Sequence, residues 1–305
     1  MKTISNSSLS ITVNDHGAEL TSLRHGGREY LWQADAAFWK RHSPVLFPIV
    51  GAVWQNEYRS HGQTFQLGQH GFARDVDFHL ISQTETELRY VLESSAETLA
   101  KYPYPFRLEI GYQLNGNCVR VLWRVVNPGS EPLAFQIGAH PAFFWPMLSD
   151  ACIDGGVEAM TQPLADTDLR GYFRLDADAQ TLPVDVITQG GCVGAESSVQ
   201  LDAEGYLPIT VNTFDHDALI FSGSHVRGVT LCRHDRTPYL TLRFSSPLVG
   251  LWSPPHKRAP FVCIEPWYGR TDPAGYAGQF ESKPHIQTLA PGAVFDASYD
   301  IIVEG

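Results

Sequence analysis

Four stretches of the 305-residue chain set titratable side chains among glycine, proline and aromatic residues. "GQHGFARDVDF" carries His70 and Arg74, "IGAHPAFFWP" carries His140, "NTFDHDALIF" carries Asp215 and Asp217, and "FVCIEPWYGRTD" carries Glu265. A carboxylate and an imidazole are what acid–base chemistry near neutral pH requires, one to take a proton and one to deliver it. A guanidinium adds a donor fork for hydroxyls, carboxylates or phosphates. Trp267 and Tyr268, just after Glu265, offer aromatic faces against which a sugar or other polyol can pack. Each residue alone has a plainer reading: a histidine capping loop carbonyls, a solvated rim acid, a core tryptophan. Two histidines, an arginine and an acid in the same kind of setting favour acid–base chemistry on a polyol.

The motifs of other chemistries are missing from the sequence. There is no HExxH and no Cys/His ligand cluster, and so no metal site is expected. No GxGxxG, P-loop or GxSxG occurs either. Two classes remain, a cofactor-free acid–base enzyme and a carbohydrate-binding module.

The elements that must hold these residues read as strands. "SLSITV" puts Leu9, Ile11 and Val13 on one face. Leu108, Ile110, Tyr112 and Leu114 alternate, Asn115-Gly116-Asn117 turns, and Val119, Val121, Trp123 and Val125 alternate back, which predicts a β-hairpin. "YLTLRF" at 239–244 and the terminal "VFDASYDIIVEG" repeat the period of two. "FVCI" predicts a strand that delivers Glu265 at its end. The proline after His140 biases that residue to extended geometry at a strand end. If "NTFDHDALIF" is a strand, Asp215 and Asp217 share a face. Short helices are predicted at about 35–41 and at 94–102, the latter opening on serine with Glu97 in its first turn. With 26 Gly and 20 Pro, turns are frequent and strands short. The expectation is one large antiparallel β-sandwich domain spanning residues 1–305.

Composition narrows the partners. A net charge of −11 argues against nucleic acid and gives no basic patch for a membrane surface. Five scattered cysteines without a CxxC pair fit reduced thiols better than a disulfide framework. The start "MKTISNSSLSITV" has no apolar run of signal-peptide length, so a cytoplasmic protein is expected. A small-molecule partner and a monomer or homodimer complete the expectation.

In this order "HGFAR", "GAHPAFFWP", "FDHDALIF" and "IEPWYG", with the earlier "LWQADAAFWKRHSPVLFPIVG", resemble the aldose 1-epimerase (galactose mutarotase) superfamily, in particular its LacX-like branch. The resemblance runs from about Leu9 to the end of the chain. It implies a β-sandwich, an open concave site and no cofactor. It also implies Glu265 as the base for the anomeric hydroxyl, His140 as the acid for the ring oxygen, and His70 as a second site histidine contacting the sugar. Asp217, with Asp215 as the alternative, matches a sugar-hydroxyl ligand. One stretch departs from the pattern. Where the main branch carries "GRxANR", this chain reads "GAVWQNEY", with Gln55 and Asn56 in place of the Asn-Arg pair. Asn56 is therefore the candidate for substrate binding there, and Arg74 or Arg41 for the guanidinium. Two alternatives stay open: a hexose-phosphate epimerase, with Arg41, Arg74 and Arg270 as candidate phosphate ligands, and a non-catalytic carbohydrate-binding protein.

Overall fold

The computed structural model of the chain describes residues 1–223 and 225–304. The alternating segments form strands as their pattern requires. Leu9–Val13 buries Leu9, Ile11 and Val13. Arg107–Asn115 and Cys118–Val126 pair from end to end, and Gly116 turns the chain at φ 58°. Antiparallel pairing continues into a nine-stranded sheet, with Val294–Val303 lying between Cys118–Val126 and Pro238–Phe244. A second, eight-stranded sheet is built around Phe261–Tyr268. Side chains of both sheets enter one apolar cluster that reaches from Ile4 to Val303. Across the layers, Trp123 of the first sheet meets Tyr268 of the second edge to face at 6.2 Å, and Phe295 meets Tyr268 at 5.0 Å. The architecture is an antiparallel β-sandwich.

Helices are short and few among the described residues. Ala96–Lys101 forms where expected, because the Ser95 hydroxyl accepts from the Thr98 N–H and the Thr98 hydroxyl accepts from the Ser95 N–H. The predicted helix at 35–41 is instead a turn. The Asp35 carboxylate accepts the Ala37 N–H at 2.8 Å, and Ala34 sits at φ 58°, so the local bonds close a turn rather than a helix. Asp150–Asp154 and Gly156–Ala165 are helical although Gly155, Gly156 and Pro163 masked the pattern. No described helix is long and apolar enough to cross a membrane.

The strand that carries Glu265 does not end there. It runs Phe261–Tyr268 and is buried over seven of its eight residues, so it is a central strand covered on both faces. Leu248–Trp252 flanks it on one side. On the other side the partner is interrupted: Ile137–Ala139 and Ala142–Phe144 pair with it, while His140 and Pro141 fall between. Proline cannot donate to a ladder, which accounts for the break at Pro141. Pro266 keeps its place opposite Val249.

The pairing on both sides of the break keeps one register, Ala142 opposite Cys263 and Gly138 opposite Trp267. That register sets His140 opposite Glu265. Cys263, Glu265 and Trp267 share one face of the strand, while Tyr268 points into the space between the sheets. Trp267 fits because its neighbours are glycines. A β-carbon on Gly250 would lie 2.4 Å from the indole, and one on Gly138 would lie 2.6 Å from it. Leu46, Val50, Ile220 and Leu248 pack around the same ring and leave it no retreat. Gly250→Ala is therefore expected to cost about 1–3 kcal/mol by overpacking, read as a lower midpoint in denaturant. An unchanged midpoint would contradict this account of the Trp267 wall.

Candidate active site

A cavity of about 310 Å³ opens at the broken ladder, large enough for a monosaccharide. His70, Arg74, His140, Asp217, Glu265 and Trp267 all line it. His140 and Glu265 meet at its wall, with Nε2 and Oε2 3.2 Å apart. Both side chains are buried, His140 with 7% of its surface exposed and Glu265 with 1%. The contact lacks hydrogen-bond alignment, and Glu265 Oε2 and His140 Nδ1 have no partner. Trp39 stacks on the His140 ring at 4.7 Å, and Trp252 meets it edge-on at 5.4 Å.

His70 faces His140 at 87°, with ring centroids 5.5 Å apart. Its backbone is left-handed at φ 66°, as is that of Gly71 at φ 70°. The conformation is held by the His70 N–H donating to the Gly51 carbonyl at 2.7 Å. Gly71 is required here, since a β-carbon would come within 2.3 Å of the Phe47 carbonyl oxygen. The Gly51 N–H donates to His70 Nδ1 at 3.1 Å. Nδ1 is thus an acceptor, and the neutral ring carries its proton on Nε2. Arg74, one short turn further on, donates to the Gln69 carbonyl at 2.6 Å and keeps a buried Nε that makes no hydrogen bond, 3.7 Å from Asp75.

The two aspartates separate. Residues 211–216 form turns rather than a strand, so the shared-face expectation fails. Asp217, left-handed at φ 77°, reaches the cavity and accepts the Ala218 N–H at 2.8 Å. Asp215 lies elsewhere, 3.1 Å from His256. Asn56 is exposed and outside the cavity lining. It and Gln55 both have φ near 60° in the tight turn before strand Glu57–Ser60, which sends their side chains to solvent. Arg41 is also outside the lining and pairs with Asp75 at 2.8 Å, while Arg270 pairs with Asp185. Trp39, Trp252, Gln69 and Thr271 line the cavity without having stood out in the sequence. The only hint for the tryptophans was their setting, "AAFWKRHSP" and "VGLWSPP", beside proline-rich loops.

A second group of bonds fixes the wall that bears Gly51, Gly191 and Thr271. The Thr271 hydroxyl accepts the Ala52 N–H at 3.0 Å and donates to the Gly191 carbonyl at 2.6 Å. Asp272 accepts the Trp54 N–H at 2.9 Å and pairs with Lys283 at 2.5 Å, both charges fully buried.

The electrostatics follow from burial. Glu265 is pushed well above the usual 4.5, first by desolvation and then by the Asp217 charge; the nearby Trp267 indole opposes this weakly. His140 is pulled down to about 3 by desolvation, with the Arg74 and Arg41 charges adding to it. His70 is lowered well below 6.5 by desolvation, then by His140 and Arg74. Arg74 itself falls to about 10, through burial and the neighbouring Arg41. From about pH 3 up to the raised pKa of Glu265, the empty His140–Glu265 pair therefore holds one proton, on the carboxyl. The ladder register also brings Cys263 into range. One ligand atom each from His140, Cys263 and Glu265 lie within 4.8 Å of one another, a grouping that linear spacing could not disclose.

The profile of the aldose 1-epimerase family matches residues 1–301. The chain is 30% identical over 309 residues to the chromosomal LacX protein of Lactococcus lactis subsp. lactis, covering 98% of each. It superposes with a TM-score of 0.86 on a galactose mutarotase related enzyme from Lactobacillus acidophilus, at 31% identity, covering 100% of this chain and 97% of that one. It superposes equally, at a TM-score of 0.86, on a galactose mutarotase-like protein from Lactobacillus casei, at 29% identity and 99% coverage of both. With the fold and a profile matching nearly its whole length in agreement, the chain belongs to the aldose 1-epimerase family.

Proposed function

We propose that the protein is an aldose 1-epimerase that interconverts the α and β anomers of a free hexose or related sugar. The observation that carries this reading is the set of buried polar atoms without a hydrogen bond around one cavity: Arg74 Nε, His140 Nδ1, Glu265 Oε2 and Trp267 Nε1. Buried groups of this kind call for a partner. A sugar hydroxyl both donates and accepts, so a polyol satisfies donors and acceptors in one step. Among the described lining residues Arg74 is the one guanidinium, and the Asp217 carboxylate lines the same cavity, which favours an uncharged sugar over a phosphorylated one.

Anomerisation needs a proton taken from O1 and one given to the ring oxygen O5. Sugar binding expels the remaining water, and its hydroxyls hydrogen-bond the carboxylate form of Glu265. The pair's proton then passes to His140. Glu265 takes the O1 proton as the O1–C1 bond becomes a carbonyl. The C1–O5 bond breaks, and the His140 imidazolium protonates O5. At the open-chain stage the proton is back on Glu265, as in the empty site. Rotation about C1–C2 and the reverse transfers close the ring on the other face. The pair carries one proton at start and finish, so no external acid or base is consumed. His70, donating from Nε2, holds a sugar hydroxyl, and Asp217 accepts from another. Polarimetry with a panel of aldoses is the direct test. Accelerated mutarotation of at least one aldose is expected, and no acceleration of any would refute the reading.

Glu265→Gln should lower kcat by two or more orders of magnitude, in keeping with the roughly 10²–10⁴-fold size of acid–base terms. His140→Asn should lose mainly kcat. The parent rate falls on the alkaline side, where the shared proton is lost. In His140→Asn the residual rate should instead rise with pH, because Glu265 then acts as a base alone. An alkaline decline that survives in His140→Asn with normal turnover would remove His140 from the acid role. His70→Asn should raise KM at least as much as it lowers kcat.

His70 also marks the stability. Its folded pKa lies below 6.5, so the unfolded chain binds the extra proton. The stabilisation is complete above pH 6.5 and is lost as pH falls towards the folded pKa. In that window His70→Asn should flatten the dependence of unfolding free energy on pH by about 1.4 kcal/mol per unit. Parallel curves for parent and variant would show that His70 titrates normally.

A further inference from the structure

We propose that the base of the cavity binds one thiophilic divalent cation, Zn²⁺ or Cd²⁺, through His140, Cys263 and Glu265, and that the bound ion silences the acid–base pair. Strand alternation puts Cys263 and Glu265 on one face, two residues apart, and the register puts His140 opposite Glu265. One nitrogen, one sulfur and one oxygen atom lie within 4.8 Å of one another, and all three residues are buried. Zinc bonds of about 2.0–2.3 Å place ligand atoms up to roughly 4 Å apart, so small side-chain shifts close the set. Glu265 Oε2 has no competing hydrogen bond to lose.

The ligand types select the ion. A thiolate and an imidazole suit Zn²⁺ or Cd²⁺, whereas Mg²⁺ and Ca²⁺ demand six or more oxygens that this pocket lacks. A thiolate and a carboxylate neutralise the two positive charges, which matters in a desolvated site. His140 and Glu265 both line the cavity, so a water or a sugar hydroxyl there can supply the fourth ligand. The ion takes up the Glu265 carboxylate and the His140 imidazole, the groups through which protons move in the reaction proposed above. Binding itself does not depend on that reaction; inhibition does.

The test titrates the purified full chain with Cd²⁺ and follows the ultraviolet charge-transfer band of a Cd–thiolate bond. One equivalent per chain is expected to generate the band and raise the melting temperature of the parent. Cys263→Ala and Cys263→Ser should abolish both effects, and Cys192→Ala should retain them. Removing this ligand should weaken the metal by more than the roughly 10–100-fold that loss of an outer-shell partner costs. A chain that fails to fold without Cys263 leaves Glu265→Gln to be read in the same way, with a weakened band expected. Zn²⁺ should inhibit mutarotation by the parent reversibly to chelation, while the Cys263 variants keep their own metal-free rates. A band or inhibition that persists undiminished in the Cys263 and Glu265 variants overturns the proposal, as does the absence of a band in the parent. If no aldose is turned over, the band and melting shifts still decide the site, so failure of the activity reading stays distinguishable.

Discussion

A carboxyl group is held out of water against an imidazole, and the surroundings are arranged to keep it there. Glu265 sits in the middle of a central strand with almost no exposed surface. A free carboxylate in that position is penalised severely. The protein meets the penalty by shifting the proton rather than by pairing the charge, since burial raises Glu265 and lowers His140 together. The result is a pair that is neutral as a whole and carries one mobile proton. That is the condition a reaction needs when one proton is taken and another given in the same step.

The rest of the site serves this constraint. Pro141 breaks the ladder so that His140 can turn to Glu265 without losing register. Gly138 and Gly250 make room for Trp267, while Trp39 stacks on His140 and Trp252 meets it edge-on. His70, Asp217 and Arg74 enter from turns, and the first two hold left-handed backbones that non-glycine residues adopt at some cost. The buried Lys283–Asp272 pair and the Thr271 hydroxyl pin the opposite wall. A central strand thus carries Glu265, the break in its partner carries His140, and turns carry His70 and Asp217.

Much of this was legible in the sequence. Period-two alternation disclosed the hairpin and the terminal strand, and Ser95 disclosed its helix. His70, Arg74, His140, Asp217, Glu265 and Trp267 stood out by residue type and setting, and all six line one cavity. Other features depend on long-range pairing, to which local pattern is blind. The register opposing His140 and Glu265, and with it the approach of Cys263, is set between segments over a hundred residues apart. Proline usually marks an edge, so the sequence pattern ends this strand at Glu265, but here the missing donor of Pro266 is accommodated beside a broken partner strand. The segment 35–41 has helical composition, yet the Asp35 side chain competes for the first amides and sends Trp39 to the site. The place of Asn56 in its motif points to the site, but two consecutive left-handed residues turn it away.

The most direct test of the shared proton is spectroscopic and needs no substrate. Infrared difference spectra of the sugar-free protein, recorded against pH, would report the carbonyl stretch of a protonated, buried carboxyl group, with Glu265→Gln as the reference that removes it. The expected result is a band that is still present above pH 4.5 and disappears only at a pH well above it. A Glu265 carboxyl that ionises at 4.5 or below would contradict the one-proton pair and the chemistry built on it.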